Sequence, residues 1–426
     1  MSASTSKRHE VTTLPPDVAI YIENLDGGGV QAMRLKIARE LVARGRRVCF
    51  VVGQAKGALV EQVPAEIPVT ELTVASRLAT AAGALRATIG NPLPALAATA
   101  FGRDDDAALR HLPGLARYLQ QTKPQSLLAA TPYRNLEALL ARRVAGRPMR
   151  VVVSEHNDLR HGHPLSRGLC GRRLIRLQRA LYPTAHAIVA VSQGVAEDVA
   201  ARTGLAVERI QVIYNPAVGP EITALSAAPV PHPWLTGDGP PVVLAVGRLG
   251  AAKDFPMLIR AFGRLRERHQ ARLIILGKDK GPRQTAERIS QYRTQAAELG
   301  AADAVDFPGF VANPYAWMAR AAVLAVSSRH EGFCNVIAEA LACGCPVVST
   351  DCPSGPSEIL DGGRFGRLVP VGDDAAMADA LEATLAAPPS PDLLRTRGQE
   401  FSLARAVDRY EQLLFGSPTD TPIGQA

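Results

Sequence analysis

The sequence predicts an α/β fold of two domains, each a parallel sheet covered by helices, and three observations carry that expectation. At 426 residues the chain is about twice the length of an ordinary domain. Short, continuous apolar runs such as Val18–Ile22, Val242–Val246 and Val323–Val326 are each followed by a polar or glycine-rich loop and then a helical segment. That order is the local grammar of parallel sheets. A proline-rich run, Ala227–Pro241, divides two such series and reads as an interdomain linker.

Composition narrows the class. Hydrophobic residues make up 47% of the chain and charged ones 21%, ample material for two buried cores. No apolar run reaches ~18 residues, so no transmembrane helix is expected. The N-terminal MSASTSKRHEVTTLPPD lacks the apolar stretch of a signal peptide, so none is expected. Six cysteines, at 49, 170, 334, 343, 345 and 352, form no C-x-x-C pair and read as reduced, mostly buried thiols, so a cytoplasmic protein is expected. Cys343, Cys345 and Cys352 are not expected to hold zinc.

The net charge of +8 raises nucleic acid as a partner. No basic run carries interleaved aromatics, so none is expected. Arg142, Arg143, Arg147 and Arg150 precede one strand, and Arg160, Arg167, Arg172, Arg173, Arg176 and Arg179 follow it. Leu165, Leu169, Leu174, Ile175, Leu177 and Leu181 are interspersed with the second group. Two readings stand. One is a basic amphipathic segment for an anionic membrane on its inner face, or for a lipid diphosphate. The other is a solvated arginine-rich helix packing its leucines on the sheet.

Residues 1–16 are expected to be a disordered leader, and 17–226 the first domain. Val18–Ile22 is its first strand, and Asn24–Gly29 a tight loop where Gly28 and Gly29 let the backbone approach a ligand at a helix start. The helix places Val30, Met33, Ile37 and Leu41 on one face and leads to a strand over Arg47–Val52. The loop is not G-x-G-x-x-G, which argues against a nicotinamide cofactor. Within the Ala-, Leu- and Pro-rich residues 75–120, Asp104 and Asp106 have D-x-D spacing. They precede a helical Ala107–Tyr118, so capping and first-turn charge account for them better than a metal. Ser126–Ala130 and Val151–Ser154 are strands, the second delivering Glu155-His156-Asn157. His156 by itself reads as a satisfied loop residue. Ala187–Val191 is a strand, a helix begins at Val195, and Val212–Pro216 closes the domain.

The second domain, 242–400, restarts at Val242–Val246 and runs into Gly247-Arg248-Leu249, with Lys253-Asp254 opening a helix. Arg248 offers a planar fork and Lys253 a point charge, so the pair can bracket a diphosphate or serve as surface charge. Arg272–Leu276 and Val305–Pro308 are further strands. After Val323–Val326 come a loop, Ser327–Gly332, a helix over Asn335–Cys343 ending at Gly344, and a strand over Pro346–Thr350. Glu331 and Glu339, eight apart, do not share a helix face. Two carboxylates at two depths suit two sets of hydroxyls better than a shared metal. The N–H groups of Gly332 to Asn335 are unpaired donors at the helix start. On spacing alone, an N-terminal charge and a solvated face residue are the simpler reading. The last helix, within 401–416, has Ala406, Tyr410, Leu413 and Leu414 to bury, and 417–426 is a frayed tail.

The run EGFCNVIAEALACGCPVVSTD resembles the E-x7-E signature of family 4 glycosyltransferases, retaining enzymes of the GT-B fold. The likeness extends, in order over residues 18–415, to the GGGV loop, SEHN, Val246–Leu249 with Lys253-Asp254, and FPGFVANPYAW. It implies two Rossmann-like doubly wound parallel-sheet domains facing across a cleft, the first for the acceptor and the second for a nucleotide sugar. The final helix would cross back to the first domain. The implied reaction moves a hexose or N-acetylhexosamine from a nucleotide-diphosphate sugar, foremost a UDP-sugar, to a glycan or lipid-linked acceptor in polysaccharide or glycolipid biosynthesis. It needs no metal or other cofactor. Carried over by residue, Gly28 and Gly29 border the donor diphosphate, and His156 lies near the donor sugar and acceptor. Gly247, Arg248 and Lys253 hold the departing diphosphate, where charge builds up. Glu331, with Gly332, Phe333, Cys334, Asn335 and Val336, holds sugar hydroxyls, and Glu339 grips the ribose. DCPSGPSEIL resembles transferases of bacterial surface-polysaccharide assembly. A sugar-nucleotide epimerase or a phosphorylase could share the architecture. A noncatalytic basic binding protein would explain the charge but not Glu331 and Glu339.

Overall fold

The computed structural model describes residues 14–87, 109–159 and 168–416. The chain divides into two compact units. The first comprises Met1–Val191, Ala196–Ile213 and Val407–Ala426, and the second Ser192–Val195 and Tyr214–Ala406.

The first unit is a seven-stranded sheet of β1 (Val18–Ile22), β2 (Val48–Val52), β3 (Val69–Glu71), β4 (Ser126–Ala130), β5 (Arg150–Glu155), β6 (Ala187–Ala190) and β7 (Ile210–Val212). The order is β3-β2-β1-β4-β5-β6-β7, and every pairing is parallel. β1, β2 and β4 are buried along their whole length, the pattern of strands covered on both faces. The described helices of this unit are α1 (Gly29–Ala43), α2 (Arg77–Ala87), α3 (Leu112–Thr122), α4 (Pro132–Ala145), α5 (Gly168–Leu181) and, from Ala196 on, α6 (Gln193–Thr203). α6 begins two residues before the expected Val195.

The second unit holds β8 (Val242–Val246), β9 (Arg272–Leu276), β10 (Val305–Gly309), β11 (Val323–Val326), β12 (Val347–Thr350) and β13 (Arg367–Val369). They run in the order β10-β9-β8-β11-β12-β13, again all parallel. Pro308 sits in β10, an edge strand, where its missing N–H costs least. The helices are α7 (Ile222–Ala227), α8 (Phe255–Arg266), α9 (Pro282–Glu298), α10 (Tyr315–Met318), α11 (Asn335–Ala342), α12 (Pro356–Ile359), α13 (Asp374–Ala386) and α14 (Pro391–Gly398). Val243, Ala245, Leu273, Ile275 and Val323 form a core with Met257, Leu258 and Phe262 of α8 and Met377 and Leu381 of α13. In both sheets the strand order reverses beside the first strand, at β1/β4 and at β8/β11, the place where open parallel sheets bind ligands.

Several expectations need adjusting. Residues 214–226 pack with the second unit: the Tyr214 ring lies 5.5 Å from both Phe333 and Phe401, and Val218 bridges to Ser402. The proline-rich 227–241 is seated on the same unit. His232 Nε2 lies 3.0 Å from Asp306 Oδ2, Arg272 stacks on Trp234, and Val230 is buried. The helix expected from Ala107 starts at Leu112. Asp104, Asp106, Arg160, Leu165, Arg167, residues 1–13 and 417–426, and the side chains of Leu169 and Cys170 lie outside the described residues.

α5 buries Leu174, Leu177 and Leu181 and leaves Arg172, Arg176 and Arg179 exposed, so these three leucines belong to the core. The last helix, α15 (Leu403–Phe415), seats Val407, Tyr410 and Leu414 in buried positions. Arg44 meets Asp408 at 2.6 Å and Glu411 at 2.9 Å, and Arg46 meets Glu411 at 2.9 Å. No described helix is long and apolar enough to cross a membrane.

Candidate active site

In the second unit two loops leave neighbouring strands at the sheet reversal. The chain leaving β8 makes a single 3-10 turn, Ala251–Lys253, and Asp254 adopts a left-handed conformation (φ 45°) to start α8. The chain leaving β11 passes through Ser327 and Ser328 to Glu331. Lys253 Nζ donates to Glu331 Oε1 at 2.5 Å, and Ser328 Oγ donates to the same oxygen at 2.6 Å. Ser327 Oγ binds the Lys253 carbonyl (2.6 Å), Thr350 Oγ1 the Ser328 carbonyl (2.6 Å), and Arg329 Nε reaches Asp254 Oδ2 (2.7 Å). The two loops are therefore cross-linked by side chains, which fixes the pair before any ligand arrives.

Burial alone would push the Glu331 carboxyl upward. The Lys253 ammonium, with hydrogen bonds from Lys253, Ser328 and Cys334, outweighs it and holds the group below its ordinary value. Lys253 is raised in turn: burial works against its charge, and Glu331 more than compensates. Both groups stay ionised, with side-chain exposures of 24% and 14%. Arg248, just past β8, is exposed and makes no side-chain ion pair among the described residues. Further along the same sheet edge, Lys278 Nζ sits 4.3 Å from the ring centroid of Phe310, which is 63% exposed.

α11 starts from Cys334, held at φ 76°. Around it the Gly332 carbonyl accepts from Ser192 Oγ (2.6 Å), and Asn335 Oδ1 accepts from Asn215 Nδ2 (2.9 Å). Phe333, Cys334 and Val336 are buried, whereas Glu331, Gly332, Asn335 and Glu339 are partly accessible. Gly355 (φ 100°) backs the turn, and a Cβ there would lie 2.0 Å from the Phe333 carbonyl oxygen. Burial pushes the Cys343 and Cys352 thiols up to about 12 and Cys334 well above its ordinary value, so all three are neutral. Among the described residues no group of three His, Cys, Asp or Glu side chains could hold a metal ion.

In the first unit Gly28 precedes α1 in an extended conformation and Gly29 is the helix's first residue. Among the described residues nothing lies within 4 Å of a Cβ built on Gly29, so the space beside the helix start is open there. His156 follows β5. Its Nε2 lies 3.1 Å from Arg34 Nη2 and 3.1 Å from Ser154 Oγ. Burial, then the Arg34 charge, holds the imidazole well below its ordinary value, so the ring is neutral. Arg34 and Ser154 were not anticipated as site residues. A signal existed, because Arg34 falls on the same helical stripe as Ile37, Ala38 and Leu41, where an apolar residue belongs.

Residues 27–217 match the family profile described as Glycosyltransferase Family 4, and residues 240–387 the one described as Glycosyl transferases group 1. One curated relative is the N-acetylgalactosamine-N,N'-diacetylbacillosaminyl-diphospho-undecaprenol 4-alpha-N-acetylgalactosaminyltransferase of Campylobacter jejuni. It is 31% identical over 255 residues, 59% of this chain and 64% of the relative. The lipopolysaccharide core biosynthesis glycosyltransferase LpsE of Rhizobium meliloti is 34% identical over 183 residues, 42% of this chain and 51% of the relative. The chain thus spans less than two thirds of the length of these curated relatives. Among solved structures, Anabaena HepE in complex with UDP gives a TM-score of 0.71 at 21% identity, covering 93% of this chain and 99% of that one. The apo lipopolysaccharide outer core galactosyltransferase WaaB gives 0.68 at 20% identity, covering 93% and 99%. These structural likenesses speak for the fold. Each half thus carries a glycosyltransferase profile, Family 4 on the first and group 1 on the second, and the fold throughout is that of GT-B structures.

Proposed function

We propose that the protein is a retaining, metal-independent glycosyltransferase. It takes a hexose or N-acetylhexosamine from a nucleotide-diphosphate sugar, foremost a UDP-sugar, and delivers it to a glycan or lipid-linked acceptor in polysaccharide or glycolipid assembly. The observation that carries this reading is the Lys253–Glu331 pair, set at the β8/β11 reversal by two cross-linked loops. Lys253 and the nearby Arg248 supply fixed positive charge where the diphosphate departs, which is where negative charge grows in the transition state. Glu331, kept ionised by Lys253 and Ser328, accepts hydrogen bonds from sugar hydroxyls and orients the anomeric carbon. Glu339, partly accessible and one turn into α11, takes the ribose hydroxyls. Phe310 and Lys278 offer the base a flat face at the far end of the row. The leaving phosphate oxygen takes the acceptor proton, so the reaction asks for no protein nucleophile.

The relatives' names support the acceptor class: the Campylobacter enzyme's name includes a diphospho-undecaprenol. A cytoplasmic protein working at the inner membrane face fits such an acceptor, with the exposed Arg172 and Arg176 as its electrostatic contact.

The test is a panel of nucleotide sugars scored for nucleotide release with and without lipid-linked acceptors, followed by the anomeric configuration of the product. Acceptor-dependent release and a product with the donor's configuration are expected. Inversion contradicts the reading. Equal release without acceptor points to the epimerase, and dependence on inorganic phosphate to the phosphorylase.

A further inference from the structure

We propose that Arg34 is a positioning residue that fixes His156 as the neutral tautomer protonated on Nδ1, so that the ring serves the transfer as a hydrogen-bond donor and not as a base. The proposal rests on the transferase reading above for its role, but not for its structural content.

Arg34 is 1% exposed and stands in the buried stripe of α1. It makes no carboxylate ion pair among the described residues. Nη2 donates to Ser154 Oγ and approaches His156 Nε2, the guanidinium carbon lies 5.2 Å from the Tyr410 ring centroid, and Nε and Nη1 are buried without a hydrogen-bond partner among the described residues. A buried cation with unfilled donors destabilises a fold, and an apolar residue of similar volume would pack better. Stability therefore does not account for an arginine here, and of the groups it engages, Ser154 Oγ, the Tyr410 ring and His156, the histidine is the one in the candidate site.

The tautomer follows from donor arithmetic. A guanidinium has donors alone and does not lose its proton. The atom it approaches at 3.1 Å must then present a lone pair, so His156 Nε2 is unprotonated. Ser154 Oγ donates to the Ala129 carbonyl at 2.9 Å and accepts from Arg34, which leaves one lone pair 3.1 Å from Nε2. A protonated Nε2 donating there would turn its N–H beside the Arg34 cation, and that charge disfavours the arrangement. Double protonation of the ring is disfavoured by burial and by the same cation. Among the described residues Arg34 from α1 is the charged group acting on the ring. At the end of β5, just before His156, Ser154 is neutral and Glu155 is engaged by Arg202 and Tyr182. The remaining proton sits on Nδ1, the nitrogen left for a sugar or acceptor oxygen.

Proton–nitrogen correlation spectra of the isotope-labelled full chain, without substrate, show which ring nitrogen is protonated. The signals of His156 are identified by their loss in His156→Asn. Nδ1 protonation is expected in the native chain and in Arg34→Lys, and a mixture of tautomers in Arg34→Met. In transfer assays His156→Asn, whose amide nitrogen stands near the Nδ1 position, keeps activity within about tenfold, whereas His156→Gln loses about a hundredfold or more. Arg34→Met lowers kcat with the donor KM unchanged, and Arg34→Lys recovers part of it. A native ring protonated on Nε2, an unchanged tautomer in Arg34→Met, or a glutamine variant more active than the asparagine one overturns the proposal. If Arg34→Met does not fold, the native spectrum and the asparagine–glutamine comparison still decide. A native chain that transfers no sugar would defeat the transferase reading and leave the tautomer result standing.

Discussion

Lys253 and Glu331 each keep the other charged, and the sign of that coupling sets a pH window. The folded Glu331 carboxyl titrates below its ordinary 4.5, so its contribution to stability is complete above that value and is lost as pH falls through the lower folded one. The folded Lys253 ammonium titrates above its ordinary 10.5, so its contribution is complete below that value and is lost as pH rises through the folded one. The difference in Tm between the native chain and Glu331→Gln should therefore be level from about pH 5 to about pH 10 and shrink in acid. A difference that peaks sharply near neutrality would contradict the pairing. Glu331→Ala should lower transfer by about a hundredfold or more while leaving UDP affinity within a few-fold, because its role lies with the sugar. Full transfer by that variant would remove Glu331 from the site.

Among the elements, the turn before α11 is the most exacting. Gly355→Ala places a Cβ against the Phe333 carbonyl in a left-handed backbone, and should cost about 1–3 kcal/mol in denaturant unfolding, with transfer reduced as well. The exposed ring after β10 gives a second check. Phe310→Ala should weaken UDP binding by about tenfold and leave inorganic pyrophosphate binding unchanged, since stacking concerns the base. Equal loss for both ligands would place the base elsewhere. The central strands were legible because a strand buried on both faces is a continuous apolar run, as in Val18–Ile22 and Val242–Val246. The three-residue β3 and β13 escaped because they are half-exposed and carry little apolar signal. α4 escaped because it buries polar side chains. Arg134 and Glu137 meet at 2.7 Å beneath Tyr21, whose hydroxyl donates to Glu137 at 2.5 Å, and that breaks the apolar stripe. The Lys253–Glu331 contact joins residues 78 apart, so spacing along the chain offered Glu331 and Glu339 as a pair while the fold joins Glu331 to a lysine on another loop.

At the scale of the molecule, the net charge of +8 and the placement of the α5 leucines act together. With Leu174, Leu177 and Leu181 in the core, the described face of α5 offers a membrane arginines, so attachment through that face would be electrostatic. Co-sedimentation with vesicles rich in anionic lipid should fall away as salt is raised from about 0.1 M to about 0.5 M, as screening shortens the reach of the charge. Salt-resistant binding would require an apolar insertion elsewhere. Proline marked Ala227–Pro241 as a connector, but His232 and Trp234 give it a seat that composition does not reveal. The claim beneath the rest is that two cations at the second sheet's reversal receive a nucleotide diphosphate. Calorimetric titration of UDP into the native chain, Lys253→Met and Arg248→Met tests it most directly. The account predicts that Kd rises at least about tenfold in each variant, about 1.4 kcal/mol or more. An unchanged Kd in both, with the fold intact, would contradict it.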